Sequence, residues 1–514
     1  MFKLRKFIII PILHVLLCLI KSTATADQAV GIPTTKAIFQ NSYEILELPG
    51  GEDMGFWGAQ LLYETTAGLS VGPAAYGAIT GDRGGFITLG AAADLNFPLT
   101  DNLSLSAGYF VGAGGGRGGF TLSGGGLMLR AKAGVEYSLD EYGILGLGIS
   151  NVSFPNGSGS IDSTQPYLGY SYPFYTLHQS GWRDNSNTKF SGNAASQSEQ
   201  DFAVVFRSYK IPEGVPTDSG GTQHPTVDLV GVEWSQYLDE NYFVKIESEG
   251  AMGGDSRGYM QIFLGGGYRF NLSEDSALKF SSSAGVAGGG AVDTGGGLLL
   301  DAQASFQHQL LEGIFAEVGV GYVVAPQAKF EALSLVAKLG YKFDAPSVSG
   351  SSVPIEALSG YSNHHFRLRL PSQRYLKADP NWRGHHSNLD VDNLGVLIDY
   401  FPHDNIFLTG QGLAAYTGEA GAYMTGLLGS GVHSPVLDDF YIEAEGLLGA
   451  AGGGGLDTGA GLVWQVNANL GYNIDDSLSV TLGLGRMEAF EGKFKANVIS
   501  VGLAYKFDLL LKAH

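Results

Sequence analysis

Two Asp-Thr-Gly triplets are the residues whose type and spacing come nearest to catalytic chemistry in this chain. They begin at Asp293 and Asp457, and each follows a run of glycines. Two aspartates brought side by side share one proton and can activate a water molecule. Aspartate and glycine also serve turn geometry at hairpin tips. Because glycine runs rather than firm strands precede both triplets, turns are the preferred interpretation.

Paired triplets of this kind resemble the aspartic proteases, which carry Asp-Thr-Gly in two duplicated lobes. The resemblance implies that Asp293 and Asp457 would be the catalytic pair of a hydrolase. A third copy of the surrounding pattern has Thr121-Leu122-Ser123 instead, and the repeats lack the long lobes of such enzymes. We therefore predict that the chain is not an enzyme and has no catalytic residues. The protease is kept as a remote alternative.

Histidine pairs are the next residues that could do chemistry. His364-His365 and His385-His386 could hold a metal ion, and Ser387 with Asp390 nearby could complete a hydrolytic triad. Adjacent side chains on a strand point to opposite faces, and close neighbours in sequence seldom form a triad. We predict no metal site and no cofactor.

Polar faces of alternating strands carry the remaining chemistry. From Leu462 onward, apolar and polar residues alternate, and a period of two gives a strand with one apolar and one polar face. A pore lined by such polar faces would pass small polar solutes with a mild preference for cations, whereas a packed polar interior would conduct nothing. Both possibilities stay open. The predicted lumen-facing polar residues are Arg130, Lys132, Glu136, Asp301, Gln303, Gln307, Glu443, Glu445, Gln465, Asn467 and Asn469.

One pattern recurs three times along the chain. A glycine run leads into an alternating strand that opens at Leu127, Leu298 or Leu462, and an aromatic-x-Phe ending follows each time. Such self-similarity indicates repetition of one structural unit, which we interpret as about eight strands. The predicted divisions are a signal peptide at 1–26, repeats at 27–174, 202–344 and 365–514, the last with a short C-terminal extension, and linkers at 175–201 and 345–364.

The first residues predict export. Lys3, Arg5 and Lys6 precede an apolar run, and a small-x-small site ends at Ala26, as in secretory signal peptides. Cys18 is the only cysteine, so cleavage would leave a mature chain without disulfides or thiolate metal sites. The formal net charge of −20 disfavours nucleic acid as a partner.

Together, the signal peptide, the amphipathic strands and the ending Tyr505-Lys506-Phe507 resemble the outer-membrane β-barrel proteins of Gram-negative bacteria. The resemblance implies an all-β fold, a transmembrane antiparallel β-barrel built from three homologous repeats. It implies an outer-membrane location, with membrane lipid and the barrel-insertion machinery as partners. One departure is that the chain continues past Phe507 to His514.

The function that follows is passive: a channel for small polar solutes, or a structural or surface protein of the envelope. The alternative is a secreted, soluble adhesin, because the strands of β-sandwiches alternate in the same way. How the barrel closes is left open. Polar linkers favour three small barrels, whereas small residues on the polar faces favour one wide barrel of about twenty-four strands.

Overall fold

The computed structural model describes residues 31–116, 124–157, 161–182, 197–346, 352–354, 360–384 and 389–513. The predicted signal peptide, Thr121-Leu122-Ser123 and His385-His386-Ser387 lie outside these residues. Strands make up nearly all of the regular structure in these residues, which also contain a 3-10 turn at Asp140–Tyr142. Within the described ranges, no helix is long and apolar enough to cross a membrane.

Eight antiparallel strands form the first barrel. Each pairs with its neighbour in sequence, and the first also pairs with the last between Thr35 and Thr176, which closes the sheet. A separate short strand, β1 (Gly31–Pro33), precedes them. The barrel strands are β2 (Thr35–Leu48), β3 (Glu52–Thr66), β4 (Leu69–Thr80), β5 (Ile87–Pro98), β6 (Leu103–Gly115), β7 (Leu127–Ser138), β8 (Ile144–Ser153) and β9 (Asp162–Thr176).

The next eight long strands form a second closed circuit, because the first of them pairs with the last from Gln197↔Pro346 to Lys210↔Leu333. We call this circuit the second barrel. A short strand, β10 (His178–Ser180), comes before it. The barrel strands are β11 (Gln197–Lys210), β12 (Thr226–Tyr237), β13 (Tyr242–Gly253), β14 (Met260–Asn271), β15 (Ser276–Gly288), β16 (Leu298–Leu311), β17 (Ile314–Val324) and β18 (Glu331–Pro346).

The last eight strands form the third barrel, closed by pairing from Ser362↔Leu511 to Lys377↔Ala496. The short strand β19 (Ser352–Pro354) precedes them and pairs with β1. The barrel strands are β20 (Ser362–Lys377), β21 (Val391–His403), β22 (Ile406–Ala415), β23 (Met424–Leu437), β24 (Phe440–Gly452), β25 (Leu462–Asn473), β26 (Leu478–Ala489) and β27 (Lys495–Ala513).

The last strand, β27, links the third barrel to the second. It pairs with β18 through Phe343↔Ala513 and with β10 through Ser180↔Phe507, so the sheets of the two barrels are continuous at this edge. The predicted C-terminal extension beyond Phe507 is therefore part of a barrel strand. Pro371 lies inside β20. The pairing of β20 with β21 skips Leu370 and Pro371, because proline has no N–H to donate.

The fold-class prediction is confirmed in its coarser form, an antiparallel all-β barrel fold. The common origin of the three repeats stays a prediction. Of the two ways of closing that the sequence leaves open, the single wide barrel is wrong, since each set of eight strands closes on itself. Small residues on some polar faces leave room in the lumen, but long charged and aromatic side chains from other strands occupy it.

Alternation along the strands decides what each barrel shows to its surroundings. In β26, Leu482 and Leu484 point outward and are 57% and 67% exposed, whereas Thr481, directly before Leu482, is buried. The same pattern holds in β8, where Ile149 is exposed and Ser150 is buried. The outer surfaces of the barrels are thus apolar along these strands, and polar side chains take part of the interior.

Tight turns join the strands at the end that carries the aromatic-x-Phe sequences. Asp475 accepts backbone hydrogen bonds from Ser477 and Leu478 at 2.8 and 2.7 Å, and Asp239 accepts the same pair of bonds in the second barrel. Partial burial opposes ionisation of Asp475, but these donors lower its pKa below the usual value. The aspartates thus fix the two turns as acceptors for otherwise unpaired N–H groups.

Candidate functional site

The interior of the third barrel is crossed by a layer of paired charges. Arg367 donates to Asp399 at 2.7 Å and to Glu443 at 2.6 Å, and Arg369 donates to Asp399 and Glu445 at 2.8 Å each. All five side chains are buried. Charges leave water at a high cost unless they are paired and hydrogen-bonded, so this layer holds together as a unit.

The second barrel has a larger network of the same kind. Lys338 lies 2.9 Å from both Glu233 and Glu317, and Lys245 lies 3.0 Å from Glu233 and from Glu247. Arg207, on the first strand of this barrel, pairs with Glu247 and with Glu249. The network spans the lumen because its members come from strands on opposite sides of the barrel.

In the first barrel the charged layer is smaller. Arg130 donates to Glu44 at 2.7 Å, and Lys132 donates to Asp94 at 2.5 Å and to Gln40 at 2.6 Å. The Arg130 guanidinium also lies 5.2 Å from the centre of the Tyr76 ring, within cation–π range. Each of the three barrels therefore carries cations bridged to carboxylates across its interior.

All eleven polar residues that the sequence places in the lumen lie on inward faces. Several belong to the networks: Gln307 donates to Asp201 at 3.1 Å, Asn467 donates to Glu445 at 2.8 Å, and Glu136 accepts from Asn96 at 2.8 Å. The other eight are buried within or beside the same networks, namely Arg130, Lys132, Asp301, Gln303, Glu443, Glu445, Gln465 and Asn469.

Sequence reasoning missed most of the cations that hold these layers together. The available signal was charge at alternate positions in a strand, as in Lys245-x-Glu247-x-Glu249 and Arg367-x-Arg369. In an amphipathic strand, residues two apart share a face, so such runs place several charges in one lumen. The missed lumen cations are Arg207, Lys245, Lys279, Lys338, Arg367 and Arg369.

Next to each charged layer, towards the glycine-rich end, the barrel holds an apolar core. In the third barrel Trp382 enters from the loop after β20 and stacks on Phe494, with ring centres 5.7 Å apart and side chains fully buried. Tyr375 and Tyr423 pack around them. Equivalent clusters fill the first barrel, around Phe86, and the second, around Phe330.

The opposite mouth of the third barrel is occupied by Trp182, which lies in the segment predicted as a linker. Its indole lies 4.5 Å from the ring of Phe401 and 5.4 Å from that of His365, and Lys506 lies 4.8 Å over it. Its N–H donates to the carbonyl of Phe366 at 2.8 Å. Trp182 thus covers this mouth of the third barrel.

Replacing Trp182 with alanine is expected to open this mouth to water. His433 lies behind the indole, with ring centres 6.3 Å apart, and contacts Glu443. Its modification by diethyl pyrocarbonate should therefore become faster in the variant. Trp464→Ala, on an outward face, is the matched control and should leave the rate of modification unchanged. Equal rates in the Trp182 variant and the wild type would contradict the closure of this mouth by Trp182.

The two histidines of the predicted pair contact different partners. His364 Nδ1 lies 3.0 Å from the Tyr400 hydroxyl, whereas His365 Nδ1 lies 2.6 Å from Asp508. The Asp-Thr-Gly aspartates are also separate: Asp457 pairs with Arg257 at 3.4 Å, and Asp293 accepts from the N–H of Gly295 at 3.2 Å. Each aspartate thus has structural partners of its own: Asp293 bonds within its turn, and Asp457 contacts a residue of the second barrel.

The glycine-rich pattern joins the barrels to one another. The β4–β5 turn of the first barrel meets the glycine run of the second, where the N–H of Gly84 donates to the carbonyl of Gly295 at 2.8 Å. The equivalent turn of the third barrel meets the first, where the N–H of Ala422 donates to the carbonyl of Gly114 at 3.1 Å. Each such contact needs the close backbone approach that glycine permits.

The turn of the second barrel completes the ring by meeting the third. Gly258 faces Gly452, and a Cβ on Gly452 would lie 2.6 Å from the Cα of Gly258. Small residues continue this interface down the strands: a Cβ on Gly250 would lie 2.9 Å from that of Ala450. The contacts run from first to second, second to third and third to first barrel, as in a heterologous ring that closes.

A chamber of about 3550 Å³ lies between the three barrels. Its walls are mainly outward faces of β3–β5 in the first barrel, β11–β14 in the second and β20–β23 in the third, and parts of β2, β9, β18, β24 and β27 complete them. Glycines of the ring contacts, such as Gly85, Gly258 and Gly453, lie at one end. Most wall side chains are apolar, including Trp57, Leu61, Trp234, Ile246, Leu264, Leu368, Ile398 and Leu428.

Comparison with known proteins gives distant structural likenesses. No family model matches the sequence, and no curated protein matches it. A mutant of the ferric enterobactin receptor PfeA from Pseudomonas aeruginosa, in complex with enterobactin, has a TM-score of 0.28 and 10% identity, over 92% of this chain and 81% of that chain. OpdQ from the same organism has a TM-score of 0.21 and 12% identity, over 93% and 97%.

The outer-membrane protein Ail from Yersinia pestis, in a phospholipid nanodisc, matches at a TM-score of 0.21 and 12% identity, over 28% of this chain and 99% of that chain. Scores this low identify no function and no close relative. The strand pairing itself shows that the described residues form an antiparallel all-β barrel fold.

Proposed function

We propose that this chain is a non-enzymatic outer-membrane protein of a Gram-negative bacterium. Its three barrels serve as structural or surface elements of the envelope and not as pores. The observation that carries the proposal is the filling of the lumens. Buried ion pairs such as Arg367–Glu443 and aromatic cores such as Trp382–Phe494 occupy each barrel where a channel would need water. The envelope role is thus favoured over the passive channel.

Placement in a membrane is supported by the outer surfaces. Exposed leucines and isoleucines such as Ile149, Leu168 and Leu484 cover them, and closed barrels leave no unpaired strand edge in lipid. The strands are long enough to cross a bilayer at a tilt. A soluble adhesin would bury these apolar faces between sheets, so the surface disfavours that alternative.

The orientation follows from the loops. Short turns such as the one at Asp475 lie at the same end as Phe174, Phe343 and Phe507, and within each barrel the longer connections lie at the glycine-rich end. Outer-membrane barrels have short periplasmic turns and longer external loops. We therefore assign the aromatic-x-Phe end to the periplasm and the glycine ring to the cell surface.

Two measurements test the proposal. The purified protein should come from the outer-membrane fraction and migrate differently with and without boiling, and it should give no steady conductance in a planar bilayer. Recovery of the chain in soluble form would overturn the membrane placement. A steady open conductance would overturn the closed lumens and restore the passive channel for small polar solutes.

A further inference from the structure

The chamber between the barrels differs from their lumens in what lines it. The lumens hold paired charges, whereas the chamber is walled by the outward faces that elsewhere on the molecule are exposed leucine, isoleucine and aromatic side chains. Its volume of about 3550 Å³ is roughly a hundred times the 30 Å³ that one water molecule takes in the liquid. A space of this size has to be filled by something.

Water fits the chamber poorly. A buried water molecule needs polar partners, and apolar cavities stay dry, yet side chains such as Leu61, Ile246 and Ile398 offer no hydrogen bonds. An empty space would forfeit the dispersion contacts of every wall side chain. An apolar and fluid occupant that can follow the uneven surface of three barrels satisfies both conditions.

The two ends of the chamber carry different groups. Glycine backbones of the ring contacts lie at the surface end, where Gly85 and Gly258 approach the next barrel closely and where Asp218 and Arg257 also line the chamber. Hydroxyl, amide and ammonium groups collect at the opposite, aromatic-x-Phe end, on Thr35, Lys36, Thr66, Thr176, Ser198 and Gln200. An amphiphile would therefore place its polar group at the periplasmic end and its apolar part within.

We propose that the chamber binds glycerophospholipid, with the acyl chains between the barrels and the head groups at the end near Lys36. This inference rests on the proposed membrane placement, because a bilayer has to supply the lipid. The periplasmic leaflet of an outer membrane consists of phospholipid, so the polar end of the chamber faces the source. The protein thus holds a small patch of lipid that is separated from the surrounding bilayer by its own strands.

The test is to count phospholipid per chain after purification in a mild detergent and exhaustive washing, with native mass spectrometry identifying the lipid. Two variants each place an indole in the chamber: Gly426→Trp in the third barrel and Ala91→Trp in the first, both on chamber walls. Gly446→Trp is the matched control. Gly426 and Gly446 are both exposed outward-facing glycines of the third barrel with no atom within 4 Å of an added Cβ, but only Gly426 lines the chamber.

The wild type and Gly446→Trp should retain phospholipid, whereas each chamber variant should retain about twofold less, because the indole takes the contacts of the acyl carbons. Loss of lipid to the same degree in Gly446→Trp, or a wild type that retains none, would overturn the inference. So would recovery of lipid A in place of phospholipid. Gly426→Trp is also checked for heat-shifted migration, and if it is unfolded, Ala91→Trp decides.

Failure of this inference is distinguishable from failure of the proposed function. A heat-shifted protein from the outer membrane that carries no retained lipid would contradict only the inference of a lipid-filled chamber. A protein recovered from the periplasm or the medium would contradict both the proposed membrane placement and the lipid-filled chamber. The lipid count and the fractionation are made on the same preparation, so the two results can be compared directly.

Discussion

Replacing Arg367 with methionine should lower the free energy of unfolding by about 3–5 kcal/mol, the usual effect of removing one member of a buried ion pair. The guanidinium is fully buried and bridges Asp399 and Glu443. Without it, two carboxylates face each other in the lumen and keep only part of their positive surroundings, from Arg369, His433 and Lys506. Urea unfolding of the folded protein in detergent, followed by tryptophan fluorescence, measures the change.

The control is Arg374→Met on the same strand. Arg374 pairs with Asp390 at 3.4 Å, but its side chain is 43% exposed, and exposed ion pairs contribute less than about 1 kcal/mol. Neutralising Asp399 and Glu443 as well, in an Arg367→Met variant, should recover part of the loss because the unpaired charges are gone. Equal losses for Arg367→Met and Arg374→Met would contradict a layer held together by charge pairing.

A single methyl group at Gly452 should loosen the ring of barrels. The added Cβ would lie 2.6 Å from the Cα of Gly258, and backbone atoms cannot move aside as a flexible side chain can. Overpacking of this kind typically costs about 1–3 kcal/mol. Gly452→Ala should therefore be less stable than the wild type and should widen the distance between the second and third barrels.

The widening can be measured with spin labels at Asp255→Cys and Lys493→Cys, two exposed positions on the tips of those barrels. The mature chain is expected to contain no other cysteine. Gly446→Ala, on the same strand as Gly452 but with open space around its Cβ, should leave both stability and distance unchanged. A normal distance distribution in Gly452→Ala would mean that the glycine contact does not hold the barrels together.

Local pattern predicts the strands and their two faces. The alternation from Leu462 onward predicts one inward and one outward face because strand side chains have a period of two, and Gln465 and Asn467 lie inward accordingly. Closure was harder, because pairing between the first and last strand of a barrel joins residues as distant as Thr35 and Thr176. The repeats in the sequence do not indicate which strand pairs with the first strand of each barrel.

The role of the glycine runs was also beyond sequence reasoning. The turn at Asp457 was predicted correctly as a turn, yet nothing local says that the glycines before it face another barrel. That contact appears only once Gly258 and Gly452 are brought together by the fold. The contact of Trp182 with the third barrel is not predictable from the sequence for the same reason, because its partners lie in β20, β21 and β27.

The ring of turn-to-glycine contacts has a consequence for how this protein can change over generations. In an assembly of three identical chains, one substitution alters every interface at once. Here the three joints are encoded separately, and they already differ: Val286 faces Gly77 at one, whereas Ala450 faces Gly250 at the next. A harmful replacement at one joint leaves two intact, so each joint is free to acquire its own side chains and, in time, its own task.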